Sequence, residues 1–357
     1  MRNELKALIR FCKKQNHIRI ERRKLNSILD ADSYFPEMDR KPRNQRRREL
    51  EKWLKQYVEA NKFYNLYGFD TVGKQFDEYI DNESFILNRN VMNHVGGLFP
   101  QVVLLRDKMM FYQYLSILGI STPKVFGIVK DNSIFNTTFQ LIDMETIKSE
   151  KDYFVKSIDG ECASFVKHIN DFDEFKSVMK NKPGQYILQN RVYQSVKMNE
   201  LNPYAVNTLR IVTVYNNGEP FVLSMLLRIG TKDTCGVDNW AVGGLACGIT
   251  DDGHLKPYAF YKPGFGSKVN IHPDTGVVFS EFQIPFLYEA KEMACAAHRA
   301  FYNIETIGWD VAILDDGPTF IEGNDNWEIS LMQCCDRPLK KDWIELVNKY
   351  NSQHTKL

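Results

Sequence analysis

The segment from Gly308 to Asn324, GWDVAILDDGPTFIEGN, carries three side chains of the kind a hard divalent cation takes as ligands: Asp310, Glu322 and Asn324. The residues DDGP, Asp315 to Pro318, separate the apolar runs VAIL and TFI, so the chain is predicted to reverse there as a β-hairpin. Glu322 and Asn324 are two apart and share a face of the second strand, where Asp310 faces them from the first. Two carboxylates and one neutral amide suit Mg²⁺ carrying nucleotide phosphates. That ion wants octahedral oxygen, keeps several waters and takes its other ligands from the phosphates. A third carboxylate would repel a triphosphate. The competing reading is an ordinary acidic hairpin.

Two lysines stand upstream in telling places. Lys156 ends the strand DYFVK and runs into SIDGECASF, a small-residue loop from Ser157 onward whose backbone amides can fold over phosphates, with Gly160 permitting close approach. Lys108 begins a helix after Pro100. Either lysine alone reads equally as a solvated charge. The chain has no GxxxxGK[ST] loop, and VGGLACG (Val242 to Gly248) lacks the strand-to-helix setting of a dinucleotide fingerprint.

These residues need elements to hold them. Residues 1 to about 95 read as mostly helical, with RRRELEKWLKQYVEANKFYNLYG as one long helix ending at Gly68. DKMMFYQYLSILG reads as a helix with an Asp start and a Gly stop, followed by strands at PKVFGIV, DYFVKSI and QYILQNRVY and a helix at DFDEFKSVMK. TLRIVTVY and PFVLSMLLRI are two alternating strands joined by an Asn-Gly turn at Asn217 and Gly218. Gly230 to Pro285 reads as loop-rich. A helix at FLYEAKEMACAAHRAF, the Asp310 hairpin and a closing helix near LKKDWIELVNKY complete the chain. Hairpins separated by helices predict an α+β fold rather than a doubly wound parallel sheet.

With 357 residues, 43% of them hydrophobic and 25% charged, the composition is globular and excludes disordered and low-complexity classes. No run of eighteen apolar residues occurs, and MRNELKALIRFCKKQ lacks a signal peptide's apolar core, so a cytoplasmic, non-transmembrane protein is expected. Seven cysteines without CxxC spacing argue against a disulfide framework or a zinc site. The whole-chain charge of +1 hides an asymmetry: residues 1–60 hold 17 Lys and Arg against 9 Asp and Glu, a net of +8, leaving −7 for the rest. Leu5, Leu8, Ile9 and Cys12 recur at helical spacing among Lys6, Arg10, Lys13 and Lys14. This amphipathic basic helix suits peripheral contact with an anionic membrane or polyanion, or else a solvated face packed on the protein. The basic head lacks the interleaved aromatics of a single-strand nucleic-acid binder, so no nucleic-acid role is expected.

From about Leu104 to Lys349 the chain resembles the ATP-grasp superfamily, and within it the sugar-transfer-associated ATP-grasp family. The blocks that carry the resemblance are VNTLRIVTV, LLRIGTKDTCGVDNWAVGG, IHPDTG and GWDVAILDDGPTFIEGN. The resemblance implies a nucleotide between two α+β lobes, with Lys108, Lys156, Ser157 and Gly160 on the phosphates and Asp310, Glu322 and Asn324 on Mg²⁺, two ions in all. The hinge would be Leu188 to Tyr193, its backbone at Gln189, Asn190 and Val192 reading adenine. It divides the chain into a helical region (1–95), an N-lobe (96–192) and a C-lobe (193–357). Two departures stand out: many members have a Glu near Asn190 and an acidic ribose ligand soon after, whereas here only Glu200 follows, and better-known members carry an α/β domain where this chain is helical.

Arg210, Arg228, Asp238, Asn239, Gly243 and Gly244 resemble the R…R…N-x-x-x-G-G arrangement of the ribosomal-protein glutamate ligase branch. Chemistry asks for such a cluster: a carboxylate attacking a γ-phosphate brings anion to anion, and cations must offset the repulsion before an acyl phosphate forms. The plainer readings are an ion pair for Arg228 and a turn for the glycines. Asp238, Trp240 and His272 are candidate substrate contacts, Trp240 otherwise belonging to the core and His272 to a turn cap. The expected activity is ATP-dependent carboxylate–amine ligation through an acyl phosphate, joining an amino acid to a sugar carboxylate that is free, nucleotide-linked or lipid-linked. Amino acid–peptide ligation, phosphotransfer and a non-catalytic nucleotide-binding module are the alternatives.

Overall fold

Local signals fix many of the element ends. In the computed structural model, residues 2–95, 97, 101–159, 165–234 and 236–354 are described, with residues 2–12 described by backbone alone. The chain opens with three helices, α1 (Arg2–Asp30), α2 (Arg43–Tyr57) and α3 (Asn82–Met92), the last capped by Asp81, which accepts from the Ser84 amide. A short helix α4 (Val103–Arg106) leads into α5 (Lys108–Ile117), whose N-cap Asp107 accepts from the amides of Met109 and Met110.

Six antiparallel strands follow: β1 (Val125–Lys130), β2 (Ser133–Phe135), β3 (Leu141–Ile142), β4 (Tyr153–Ser157), β5 (Val166–Ile169) and β6 (Gln185–Asn190), in the order β3-β2-β1-β6-β4-β5. Helix α6 (Phe172–Met179) packs Phe172, Phe175 and Met179 into this sheet's core. After α7 (Val196–Leu201) comes a second, seven-stranded antiparallel sheet: β7 (Thr208–Asn216), β8 (Glu219–Ile229), β9 (Leu245–Ile249), β10 (Leu255–Tyr261), β11 (Lys268–Val269), β12 (Thr306–Leu314) and β13 (Gly317–Asn324). Its order is β11-β10-β9-β8-β7-β12-β13. Asn217 and Gly218 take φ of 58° and 82°, the left-handed pair that closes a tight β7–β8 hairpin. Helix α8 (Leu287–Ala300) sits on the second sheet, and α9 (Ile329–Cys335) and α10 (Lys340–His354) close the chain.

The second sheet is covered on both faces. Leu209, Ile211, Leu227, Trp309 and Val311 pack with Ala290, Ala294 and Ala297 of α8. The other face, through Val212, Leu226 and Ala246, shares a core with Leu25, Leu50 and Phe85 of the N-terminal helices and Trp343 of α10. Leu105, Phe111 and Leu115 join the α8-side core, whereas Met109 packs with Val125 and Ile187 of the first sheet, so α5 has a foot in each.

Three expectations need correction. The long helix ends at Tyr57, not Gly68: Val58 is left-handed (φ 65°), and Asn61 and Asn65 turn their side chains onto the Phe63 amide and the Ile28 carbonyl, competing with helical hydrogen bonds while Phe63, Tyr64 and Phe69 fold into the core. The stretch from Gly230 to Pro285 contains β9, β10 and β11, so it is sheet as well as loop. Helices α7 and α9 lie where the sequence signalled none. The α+β expectation holds. No helix among the described residues is long and apolar enough to cross a membrane, and the four described cysteines, Cys247, Cys295, Cys334 and Cys335, are free.

Candidate nucleotide and ligation site

The hairpin forms as the turn residues require, with β12 and β13 joined through Asp315 and Asp316. Pairing runs regularly from the turn to Val311 opposite Phe320, then slips so that Asp310 meets Glu322. The extra residue is Ile321, and without that bulge an isoleucine would oppose the aspartate. On its other side Asp310 is paired with Arg210 of β7. Three strands thus set Arg210, Asp310 and Glu322 side by side on one face, with Asn324 following two residues along.

Asp310 is fully buried (0% exposed) and held by both arginines. Arg210 grips it through Nε (2.6 Å) and Nη2 (3.1 Å), and Arg228 adds Nη2 at 2.9 Å. Arg228 is fixed in turn by Thr208, whose Oγ1 accepts from Nε (3.1 Å) and Nη2 (2.8 Å) and donates to the Asp238 carboxylate. Asp238 also pairs with Arg228 at 3.3 Å. Among the described residues, Nη1 of Arg210 and of Arg228 has no protein partner, which leaves those two donors for a ligand. Both plain readings of this cluster are therefore also satisfied: Arg228 is an ion pair, and Gly243 (φ 101°) with Gly244 forms a turn. A side chain at Gly244 would lie 2.7 Å from the Asp238 carbonyl oxygen, so only glycine lets this loop close.

Lys156 projects from the end of β4 and donates to Gln189 Oε1 at 2.7 Å. Gln189 Nε2 donates to the Pro123 carbonyl at 3.2 Å, which holds the amide in the orientation that receives the lysine. The Lys108 amide donates to the Ile158 carbonyl at 3.0 Å, stitching the start of α5 to the chain just past Lys156. Burial lowers the Lys156 pKa to about 8, with Lys108 acting in the same direction and Glu322 opposing. Lys156 of the first sheet thus lies within electrostatic reach of Lys108 at the start of α5 and of Glu322 on the second sheet. Gly160, and Cys162 beside it, lie outside the described residues; Ser157 donates to Asp159 at 3.1 Å.

The carboxylates respond unequally. Burial pushes Glu322 up, and the neighbouring Asp310, hydrogen-bonded to it, adds to this. Burial acts on Asp310 too, but Arg210 and Arg228 outweigh it and hold that carboxyl below its ordinary range. Burial also raises Asp238 against the pull of Arg228. Two carboxylates this close repel each other when both are charged, and a cation between them relieves that repulsion. Asn324 donates its Nδ2 to Glu322 (3.3 Å), which leaves its amide oxygen as the third donor. No group of three His, Cys, Asp or Glu side chains suited to a metal occurs among the described residues, so an ion here would complete its shell with Asn324, water and phosphate.

At the hinge, Asn190 donates its amide to the Lys124 carbonyl (2.9 Å), while neither backbone group of Val192 has a protein partner among the described residues. Asp152 ties this linker to the first sheet, accepting from Arg191 (3.0 Å) and the Tyr193 hydroxyl and pairing with His168 at 2.5 Å.

The structure gives other candidates structural roles. Trp240 is buried, donates Nε1 to the Phe260 carbonyl (2.9 Å) and stacks on Phe63, so its ring is core and offers no platform to a sugar. His272 is buried, with Nε2 3.0 Å from the Gly230 carbonyl and Nδ1 accepting from the Asp274 and Thr275 amides; it caps the turn, and burial lowers its pKa. Asn239 uses Oδ1 to cap the short helix at Trp240. Sequence reasoning missed Thr208, which lies within the block VNTLRIVTV but carries no signal of its own. It also missed Asp325. This residue, 2% exposed and next to Asn324, takes a two-point bond from Arg106 (2.8 and 2.7 Å), two residues before Lys108. That bond joins the residue just past β13 to the last residue of α4, directly before the Asp107 cap of α5.

The family model for sugar-transfer-associated ATP-grasp matches residues 99–343. Among solved structures the chain is similar to a D-alanine–D-alanine ligase from Bacillus anthracis complexed with ATP, at 13% identity over 71% of this chain and 68% of that one, with a TM-score of 0.41. It is also similar to D-alanyl-alanine synthetase A from Vibrio cholerae O1 biovar eltor (10% identity, 70% and 66%, TM-score 0.44) and to an L-amino acid ligase from Bacillus licheniformis (14%, 64% and 42%, TM-score 0.35). These structural likenesses are distant, and the assignment rests on the family match. No curated protein matches the chain.

Proposed function

This chain belongs to the sugar-transfer-associated ATP-grasp family, and on that premise we propose that it is an ATP-dependent carboxylate–amine ligase. The observation that carries the reading is the mixed-charge cluster, in which Asp310, held down in pKa, and Glu322, pushed up, lie beside two arginines and within electrostatic reach of Lys156 from the other sheet. Asp310, Glu322 and Asn324 would hold Mg²⁺, which supplies charge neutralisation on the phosphates when bound. Lys156 and Lys108 offset the remaining phosphate charge. The Nη1 groups of Arg210 and Arg228 receive the acceptor carboxylate and hold it for in-line attack on the γ-phosphorus. Its oxygen forms the new bond, ADP leaves, and an acyl phosphate results. An amine then attacks the acyl carbon, expelling phosphate and releasing a proton. Thr208 and Asp238 keep the Arg228 guanidinium in place. The acceptor is a sugar carboxylate, by the family's association with sugar transfer, and the amine an amino acid.

The test is a coupled ADP-release screen of amino acids against uronic acids, nucleotide-linked uronic acids and short peptides. ADP release that requires both a uronic acid and an amine is expected; release with peptides alone would redirect the proposal to peptide ligation. Asp310→Asn is expected to lower turnover by at least about 10²–10³ while circular dichroism stays native. Full activity in that variant would remove the metal assignment.

A further inference from the structure

We propose that the α1–α2 hairpin is a docking surface for an anionic lipid leaflet, independent of the ligation chemistry. The two helices pack antiparallel. Arg22 meets Glu51, Arg47 meets Asn26 and Arg43 meets Asp30, three contacts in one register. Their inner sides go to the core through Leu25, Leu29, Leu50 and Leu54. Two of those contacts neutralise the seam. The flanks stay uncompensated: Lys13, Lys14, Arg19, Arg23, Arg48 and Lys55 are all exposed. These exposed side chains carry much of the +8 of the first sixty residues, Lys41 and Arg46 being buried, while the rest of the chain is net negative.

The leading part of α1 supplies the second argument. Among the described side chains, residues 13–17, 19 and 20 are exposed, and the first buried one is Glu21. The helix runs from Arg2, about 24 Å at 1.5 Å per residue ahead of Ile18, the first described side chain packed on the core. A helix of that length gains little from propensity alone and depends on a partner for its apolar positions. Leu5, Leu8, Ile9 and Cys12 recur there at helical spacing, and Ile20 is 46% exposed. Apolar spacing beside dense positive charge is the composition of a helix that lies in a lipid interface. A nucleic acid fits less well, because no Phe, Tyr or Trp ring is exposed among residues 13–57.

The experiment uses the full chain and two vesicle preparations, phosphatidylcholine alone and phosphatidylcholine mixed with phosphatidylglycerol. Co-sedimentation with the anionic vesicles only, weakening as salt rises, is expected. Each basic side chain near such a surface contributes roughly fivefold. Reversing Arg19, Arg23, Arg47 and Arg48 to Glu should then reduce binding by at least about 10². Circular dichroism and ADP release with soluble substrates should be unchanged in that variant, so the vesicle result stands whether or not the ligase reading survives. Equal binding to both vesicles, or anionic binding undiminished in the variant, overturns the proposal. So does self-association or oligonucleotide binding that the same variant abolishes while vesicles go unbound.

Discussion

Lys156 is the residue whose titration reports on the site. Burial lowers its pKa to about 8 from an ordinary 10.5, so the folded protein releases this proton earlier than the unfolded chain does. Between those values the unfolded state binds more protons, and stability rises with pH across that window. Lys156→Met should flatten that rise in thermal melts at fixed salt. The same titration removes a positive charge facing the proposed phosphates, so nucleotide affinity should fall in the wild type as pH passes about 8. Calorimetry across that range checks it: an affinity independent of pH would separate Lys156 from the nucleotide. The hairpin was legible because it is a local object, and Glu322 and Asn324 share a face by alternation, but the bulge at Ile321 that brings Glu322 opposite Asp310 has no signature in the sequence. Thr208 was not legible, because a threonine on a strand looks the same whether it anchors an arginine or faces solvent. Trp240 and His272 kept their bland readings because burial, which decides between core and contact, has no signature in spacing.

At the scale of elements, the strands that escaped the sequence reading are those whose pattern is neither alternating nor long. LACGI of β9 is buried at every position, and a run of five apolar and small residues cannot be told from a stretch of buried loop or helix. Gly248 within it is required by packing rather than by a turn: a Cβ there would strike the Cys335 carbonyl oxygen at the end of α9 and approach Lys256 Cδ to 2.7 Å. The backbone atom cannot move without shifting α9, which packs against β8, β9 and β10. Gly248→Ala should therefore destabilise by about 1–3 kcal/mol, seen as a lower midpoint in urea at unchanged m. A neutral result would mean that α9 is free to slide. The overlong α2 failed for the opposite reason. Its helical letters continue past Tyr57, but the aromatic residues after it are needed in the core, and tertiary burial overrides propensity there.

At the scale of the whole molecule, the first ninety-five residues are mainly helical as expected, and from Ile18 onward they also form part of the second sheet's core. Leu25, Leu50 and Phe85 share that core with Val212, Leu226 and Ala246, and Phe63 stacks on Trp240 beside Asn239. Polar ties repeat the pattern: Arg89 donates to the Trp327 carbonyl, Asn93 exchanges hydrogen bonds with Thr306 and the Asp325 carbonyl, and Gln333 bonds both backbone groups of Ile80. The helical region thus buttresses the segment that follows Asn324 as well as the loop that follows Asp238. Deleting residues 1–95 would expose Trp240, Trp327, Ile329 and Trp343 together, a far larger apolar patch than a monomer carries. The truncated chain should aggregate or bind a hydrophobic dye without a cooperative melt, and co-expression of residues 1–95 as a separate chain should restore solubility. A truncated protein that is monomeric, melts cooperatively and binds nucleotide would show that the two lobes stand alone. The helical region would then be a later addition to a finished fold instead of one wall of it.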